Sequence, residues 1–178
     1  MLFRSGHKDA GRVTGPDLMR VLFEEASQNG LRMYFYGSTD EILKELRQKL
    51  DEQYKGINIA GMYSPPFRKL TQEEDTDTIN MINDTKPDII WIGLGAPKQE
   101  IWMNEHKGKL NGVMIGVGAG FDYFAGRIKR APQWMQKAGL EWLYRLMQEP
   151  KRLFKRYFVT NSKFIYLLFK ESVCGHKN

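Results

Sequence analysis

Apolar residues along this chain recur with two periods, and the periods alternate. After Pro16, the stretch PDLMRVLFEEASQNG carries its apolar residues at helical spacing and closes on Gly30, which predicts a helix with proline in its first turn and glycine just past its end. LRMYFYG follows as an aromatic-rich strand. Ser38-x-x-Glu41 reads as a capping box that opens a helix running to Tyr54. INIAGMY is the next strand, SPPF a loop, and Thr71-x-x-Glu74 a second capping box with a helix to Thr85. The strand DIIWIGL, the helix KQEIWMNEHKGKL and the strand GVMIGVG come next. Beyond Gly126 only helical periodicity continues.

Strand-helix units of this length predict an α/β fold: a Rossmann-like, mostly parallel sheet with helices on both faces. A helical tail follows. In it Leu153, Phe154, Tyr157, Phe158, Phe164, Ile165, Leu168 and Phe169 recur at helical spacing, with Arg152, Arg156, Lys163 and Lys170 on an adjoining face. The expected organisation is an α/β domain over residues 1–149 and a basic amphipathic appendage over 150–178.

Composition narrows the class. The chain has 178 residues, 42% hydrophobic and 27% charged, which is ordinary for a soluble globular domain. No apolar run has the ~18 residues of a membrane span, and the first residues lack the apolar core of a secretory signal. The one cysteine, Cys174, excludes an internal disulfide and fits a reducing compartment. His7, His106, His176 and Cys174 show no metal-ligand spacing, so the histidines read as surface residues and no metal or cofactor is expected. The net charge of +6 is unevenly placed: from Arg127 to Lys163 there are ten lysines and arginines against Glu141 and Glu149. A block of that kind is either a solvated helix face or the footprint of an anionic partner.

Chemistry gathers where the strands end. In a parallel α/β sheet ligands bind beyond the carboxyl ends of the strands. Here those ends carry Gly37-Ser38, a double-proline turn, Gly93-Leu94-Gly95 and Gly116-Val117-Gly118, with Asp122 close behind. Glycine lets backbone approach a ligand, and each following helix offers free N–H groups to phosphate. One such loop is only a tight turn; four along one edge outline a site. GVGAGF is not a dinucleotide fingerprint, because Phe121 replaces its third glycine and no acidic residue ends a following strand. No P-loop and no nucleophile elbow is present.

Three longer motifs carry a resemblance. They are Ala96-Pro97-Lys98-Gln99-Glu100 after a strand, Phe121-Asp122-x-x-Ala125-Gly126-x-x-x-Arg130-Ala131-Pro132, and Gly139-Leu140-Glu141-Trp142-Leu143-x-Arg145-Leu146-x-x-Glu149-Pro150-x-Arg152. With Arg12-Val13-Thr14-Gly15-Pro16-Asp17-Leu18, they make the chain resemble the WecG/TagA/CpsF family of bacterial glycosyltransferases. The resemblance implies a nucleotide-sugar-binding domain and transfer of an N-acetylmannosamine-type sugar from a UDP-sugar donor. The implied acceptor is a polyprenyl-diphosphate-linked saccharide at the inner face of the bacterial cell membrane, for teichoic acid or other surface polysaccharide. It implies inverting, metal-independent chemistry, in which Arg145, Arg152 and Lys155 steady the leaving diphosphate; the family has arginine where Lys155 stands. Gly37, Ser38, Gly95, Lys98, Gln99, Gly118 and Asp122 are then expected near the donor, Gln99 by hydrogen bonding to it. The family's proposed catalytic aspartate belongs to a Pro-Asp-Gly segment upstream of Arg12, and Asp9 and Asp17 do not match it. The expectation is a form truncated at its N-terminus that binds nucleotide and turns over poorly, or an inactive remnant.

A lipid-linked acceptor turns the basic, aromatic tail towards an anionic membrane surface, against packing on the core or a homo-oligomer partner. A second class of reading is a nucleic-acid-binding module that stacks bases on Trp134, Trp142 and Tyr144. Those aromatics lie beside Ala131, Leu140 and Leu143 in helical sequence, so they are expected in the core and no nucleic acid is expected as partner.

Overall fold

In the computed structural model the described backbone spans residues 13–174, and His7 and His176 lie outside it. The elements run α1 (Gly15–Asn29), β1 (Arg32–Gly37), α2 (Asp40–Gln53), β2 (Asn58–Tyr63), α3 (Gln72–Asp84), β3 (Ile89–Gly93), α4 (Lys98–Glu105), β4 (Val113–Gly116), α5 (Gly120–Phe124), α6 (Gln133–Lys137), α7 (Glu141–Gln148) and α8 (Pro150–Cys174). The four strands form one sheet in the order β2-β1-β3-β4, with every pair parallel. The α/β, Rossmann-like expectation holds.

Alternation along the strands sorts the core into two layers. Met33 and Phe35 of β1 and Ile89 and Trp91 of β3 face α1, α2 and α5, where Phe23, Leu46, Leu50 and Phe121 complete the packing. Tyr34, Tyr36, Ile90 and Ile92 face the other way, with Ile82 of α3 and Trp102 and Met103 of α4. Trp91 is fully buried, edge-on to Phe23 at 5.5 Å. A ring of that size contributes about 3–5 kcal/mol against truncation to alanine.

Turn chemistry explains most of the boundaries. Gly30 ends α1 in the left-handed region (φ 71°), and its N–H donates to Ala26 O at 2.9 Å. Thr71 and Glu74 form the expected capping box at α3. The cap of α2 differs: Thr39, not Ser38, accepts from Ile42 N at 3.4 Å. Ser38 instead takes φ 66°, and its carbonyl accepts from Ser64 Oγ at 2.8 Å. It finishes the strand rather than starting the helix. α4 stops at Glu105 because Gly108 (φ 79°) turns the chain back towards β4.

The connections set the site. β1 runs through α2 to β2 at one edge, whereas the chain returns through α3 past β1 to β3 and continues through α4 to β4. α2 covers one face; α3 and α4 cover the other. The direction of travel therefore reverses between β1 and β3, and their carboxyl ends flank a crevice.

Packing divides the chain after Arg127 into two units. In the second, α7 packs on α8: the Trp142 ring meets Tyr157 edge-on at 6.2 Å, and Leu153 is buried. Gln148 docks the start of this unit on α7, its amide accepting from Lys129 N and donating to Lys129 O. The aromatics of this unit depart from expectation. Trp134 is 65% and Trp142 48% exposed, because Ala131 and Met135 take the buried positions instead. On α8, Phe154, Phe158, Phe164, Tyr166 and Leu167 are exposed, and Phe154 stacks on Phe158. The side chains of Arg152, Arg156, Ile165, Leu168, Phe169 and Lys170 lie outside the described set.

Candidate functional site

Gly37 and Gly93 pair across β1 and β3 at the mouth of the crevice. Gly37 has φ 117°, and a Cβ there would stand 2.7 Å from the Gly93 carbonyl carbon. These strand ends meet because Gly37 lacks a side chain, whereas the bare Gly93 makes room for the Phe121 ring, which a Cβ there would meet at 2.6 Å. Beside them opens a cleft of about 740 Å³, within the usual range for a small-molecule site. One wall is the β2–α3 loop with the start of α3, from Pro65 to Asp75. The other is α4, through Lys98, Ile101, Trp102 and Glu105, and Tyr36, Ser38, Gly93 and Leu94 join the two.

The loop wall is braced. Arg68 donates to both carboxylate oxygens of Glu74, at 2.7 and 2.6 Å, and Glu74 Oε2 also accepts from Thr71 N at 2.8 Å. Hydrogen bonds from Arg68 and from the Thr71 backbone hold the Glu74 carboxyl down at about 2, well under its ordinary value. Pro65 and Pro66 restrict the rest of the loop, and Phe67 projects at its lip, 79% exposed.

A polar group lies behind the cleft. His106, which the sequence reading placed on the surface, is 2% exposed. Its ring stacks on Trp102 at 3.9 Å, and Trp102 stacks on Tyr36 at 4.4 Å. His106 Nδ1 lies 2.7 Å from Trp102 O and Nε2 lies 3.0 Å from Asp75 Oδ1. A carbonyl only accepts, so Nδ1 carries a proton. Burial, and next the charge of Asp75, push the Tyr36 phenol upwards, which keeps it a hydroxyl donor at the cleft.

The expected donor residues do not gather in one place. Ser38 and Lys98 line the cleft beside the Gly37–Gly93 pair. Gly95 (φ 76°) makes the turn into α4 through the cis Ala96–Pro97 bond. Gln99 is buried: its Oε1 accepts from Gly118 N and its Nε2 donates to Glu100 Oε1, both at 2.9 Å. Gln99 thus ties α4 to the β4–α5 turn. Gly118 (φ 55°) forms that turn, and Asp122 sits half-buried in the first turn of α5, outside the cleft lining. In the second unit Arg145 is buried and paired with Glu149 at 2.9 Å, and Lys155 is exposed on α8. Among the described residues no cluster of three or more His, Cys, Asp or Glu could hold a metal.

Sequence reasoning missed Asp75, Trp102, Glu105 and His106. Asp75 looked like one acid of a helix start, and the only hint at His106 was its i, i+4 spacing from Trp102.

A wholly parallel sheet covered on both faces, with a ligand-sized cleft at its topological switch point, defines a doubly wound α/β class of protein. Within that class, the chain belongs to the glycosyl transferase WecG/TagA/CpsF family, whose model matches residues 1–178. Two relatives carry the name N-acetylglucosaminyldiphosphoundecaprenol N-acetyl-beta-D-mannosaminyltransferase. The Bacillus spizizenii protein is 33% identical over 142 residues, 79% of this chain and 53% of the relative. That of Bacillus subtilis strain 168 is 34% identical over 142 residues, 79% of this chain and 54% of the relative. The chain spans about half the length of these curated relatives.

Proposed function

We propose that this protein takes part in sugar transfer from a UDP-sugar of N-acetylmannosamine type to a polyprenyl-diphosphate-linked amino sugar, in teichoic acid or related surface polysaccharide synthesis. The observation that carries the reading is the cleft at the β1/β3 switch point in a chain of this family. The names of the two relatives support the choice of sugar and acceptor. The donor lies along the strand ends, over Gly37, Ser38, Gly95 and Lys98, with Gln99, Gly118 and Asp122 behind them. Gln99 serves this edge chiefly by shaping the Gly118 turn, since its amide is committed to the chain's own groups.

Leaving of a nucleoside diphosphate requires positive charge at the developing phosphate anion. Arg145, Arg152 and Lys155 supply it in this reading, on the strength of the family resemblance. The reaction is inverting and metal-independent, and α8 rests on the inner membrane surface where the acceptor lies.

Two measurements test this. Calorimetric titration with UDP, against single-stranded DNA at the same moderate salt, should show saturable binding of UDP; tighter binding of DNA overturns the proposal. A transfer assay then uses UDP-N-acetylmannosamine and a short-chain prenyl diphosphate of N-acetylglucosamine, with the longest form of the protein that its gene encodes. Activity that survives EDTA and yields the β-linked disaccharide is the expected result.

A further inference from the structure

The cleft pairs exposed amines with a sheltered carboxylate. Lys69 and Lys98 line it and are exposed, whereas the Asp75 side chain is 31% exposed and backed by His106, itself 2% exposed. Of the Asp75 carboxylate oxygens, Oδ1 is taken by His106 Nε2 at 3.0 Å. The imidazole cannot rotate away, because Nδ1 is bonded to Trp102 O and the ring stacks on the Trp102 indole. Asp75 is therefore a pre-oriented acceptor in a ligand-sized recess that Tyr36 also lines. The α3 capping box and the Arg68–Glu74 brace fix the helix start that presents it.

A phosphate would be repelled by Asp75 and Glu105 but attracted to the two amines. A neutral ring bearing hydroxyls suits the carboxylate, which accepts from O–H groups and cannot donate when ionised. We infer that the cleft takes a sugar diphosphate, with Asp75 as the residue that binds the hydroxyls of its sugar ring and His106 as the residue that positions Asp75. This rests on the sugar-transfer reading. That reading offers two sources of the same chemistry: the ribose of the UDP donor, and the amino sugar of the lipid-linked acceptor.

Calorimetry on the full chain separates them, with UDP as one probe and a short-chain prenyl diphosphate of N-acetylglucosamine as the other. In Asp75→Asn the amide oxygen can stay on His106, so an NH₂ group faces the cleft in place of an acceptor. We expect about tenfold or greater weakening, the size of a lost hydrogen bond to a charged group. Loss confined to UDP assigns the ribose, and loss confined to the prenyl probe assigns the acceptor sugar. His106→Gln keeps an N–H donor and should retain binding, whereas His106→Leu should weaken the same probe as Asp75→Asn. Equal binding by wild type and His106→Leu overturns the positioning role.

A measurement on the wild type guards against a variant that does not fold. Nuclear Overhauser contacts should run from the Trp102 indole protons to sugar-ring protons of the bound probe, and their absence from both bound probes overturns the inference. Unchanged affinity of folded Asp75→Asn for both probes overturns it too, and leaves sugar transfer standing. A wild-type chain that binds neither probe overturns both.

Discussion

Gln99 and Gly37 show how single residues act on the strand-end edge. Gln99 fills space that a side chain at Gly116 would occupy, and it satisfies the N–H of Gly118. Gln99→Ala leaves that N–H without its partner and opens a void, so stability should fall by about 1–3 kcal/mol. Urea unfolding would measure it, and UDP affinity measured on the folded fraction should fall as the turn loosens. Unchanged stability would return Gln99 to a direct contact with the ligand. Gly37→Ala adds both a positive-φ penalty and a clash with the Gly93 carbonyl carbon at 2.7 Å. The expected loss is about 2 kcal/mol or more in the same experiment. Gly95, also at positive φ but with nothing within 4 Å of a built Cβ, should lose less on the same change.

The element that most shapes the cleft is the β2–α3 loop, and its brace has a definite pH signature. Glu74 is shifted from 4.5 to about 2 in the folded protein. A depressed carboxyl contributes stability that is complete above its unfolded value and is lost as pH falls through the folded one. Wild type should therefore exceed Glu74→Gln in unfolding temperature at neutral pH, with the gap closing between pH 4.5 and about 2. The pair is solvent-exposed, so the gap should also shrink with added salt. A gap independent of pH would show that Glu74 acts through packing or the cap alone.

At the scale of the whole molecule, charge and apolar exposure coincide in sequence. The ten cations between Arg127 and Lys163 overlap the unit that carries exposed Trp134, Trp142, Phe154, Phe158 and Phe164. No described helix is long and apolar enough to cross a bilayer. A surface-lying α8 should float with anionic liposomes, less with neutral ones, and less again as salt rises, each cation contributing on the order of 1 kcal/mol. Replacing Phe154, Phe158 and Phe164 by serine should abolish flotation without lowering the unfolding temperature, since all three are exposed. Flotation that survives would assign membrane contact to another surface. Shortening the chain at Glu149 is a poorer test, because buried Leu153 would go with the tail.

Local chemistry in the sequence determined the α/β alternation, the Gly30 and Thr71 caps and the glycine-lined strand ends, since periodicity and capping act within a few residues. It also carried the family, through motifs such as Ala96-Pro97-Lys98-Gln99-Glu100. Only the tertiary structure decided which of those residues meet. Asp75 and His106 are 31 positions apart and become partners because α3 and α4 pack on the same face of the sheet. Gln99 reads as a ligand-binding amide in its motif, yet parallel pairing of β3 with β4 places Gly118 within its reach and commits it to the turn. Hydrogen-bond partners across a sheet follow from strand order, and no period along the chain encodes that order.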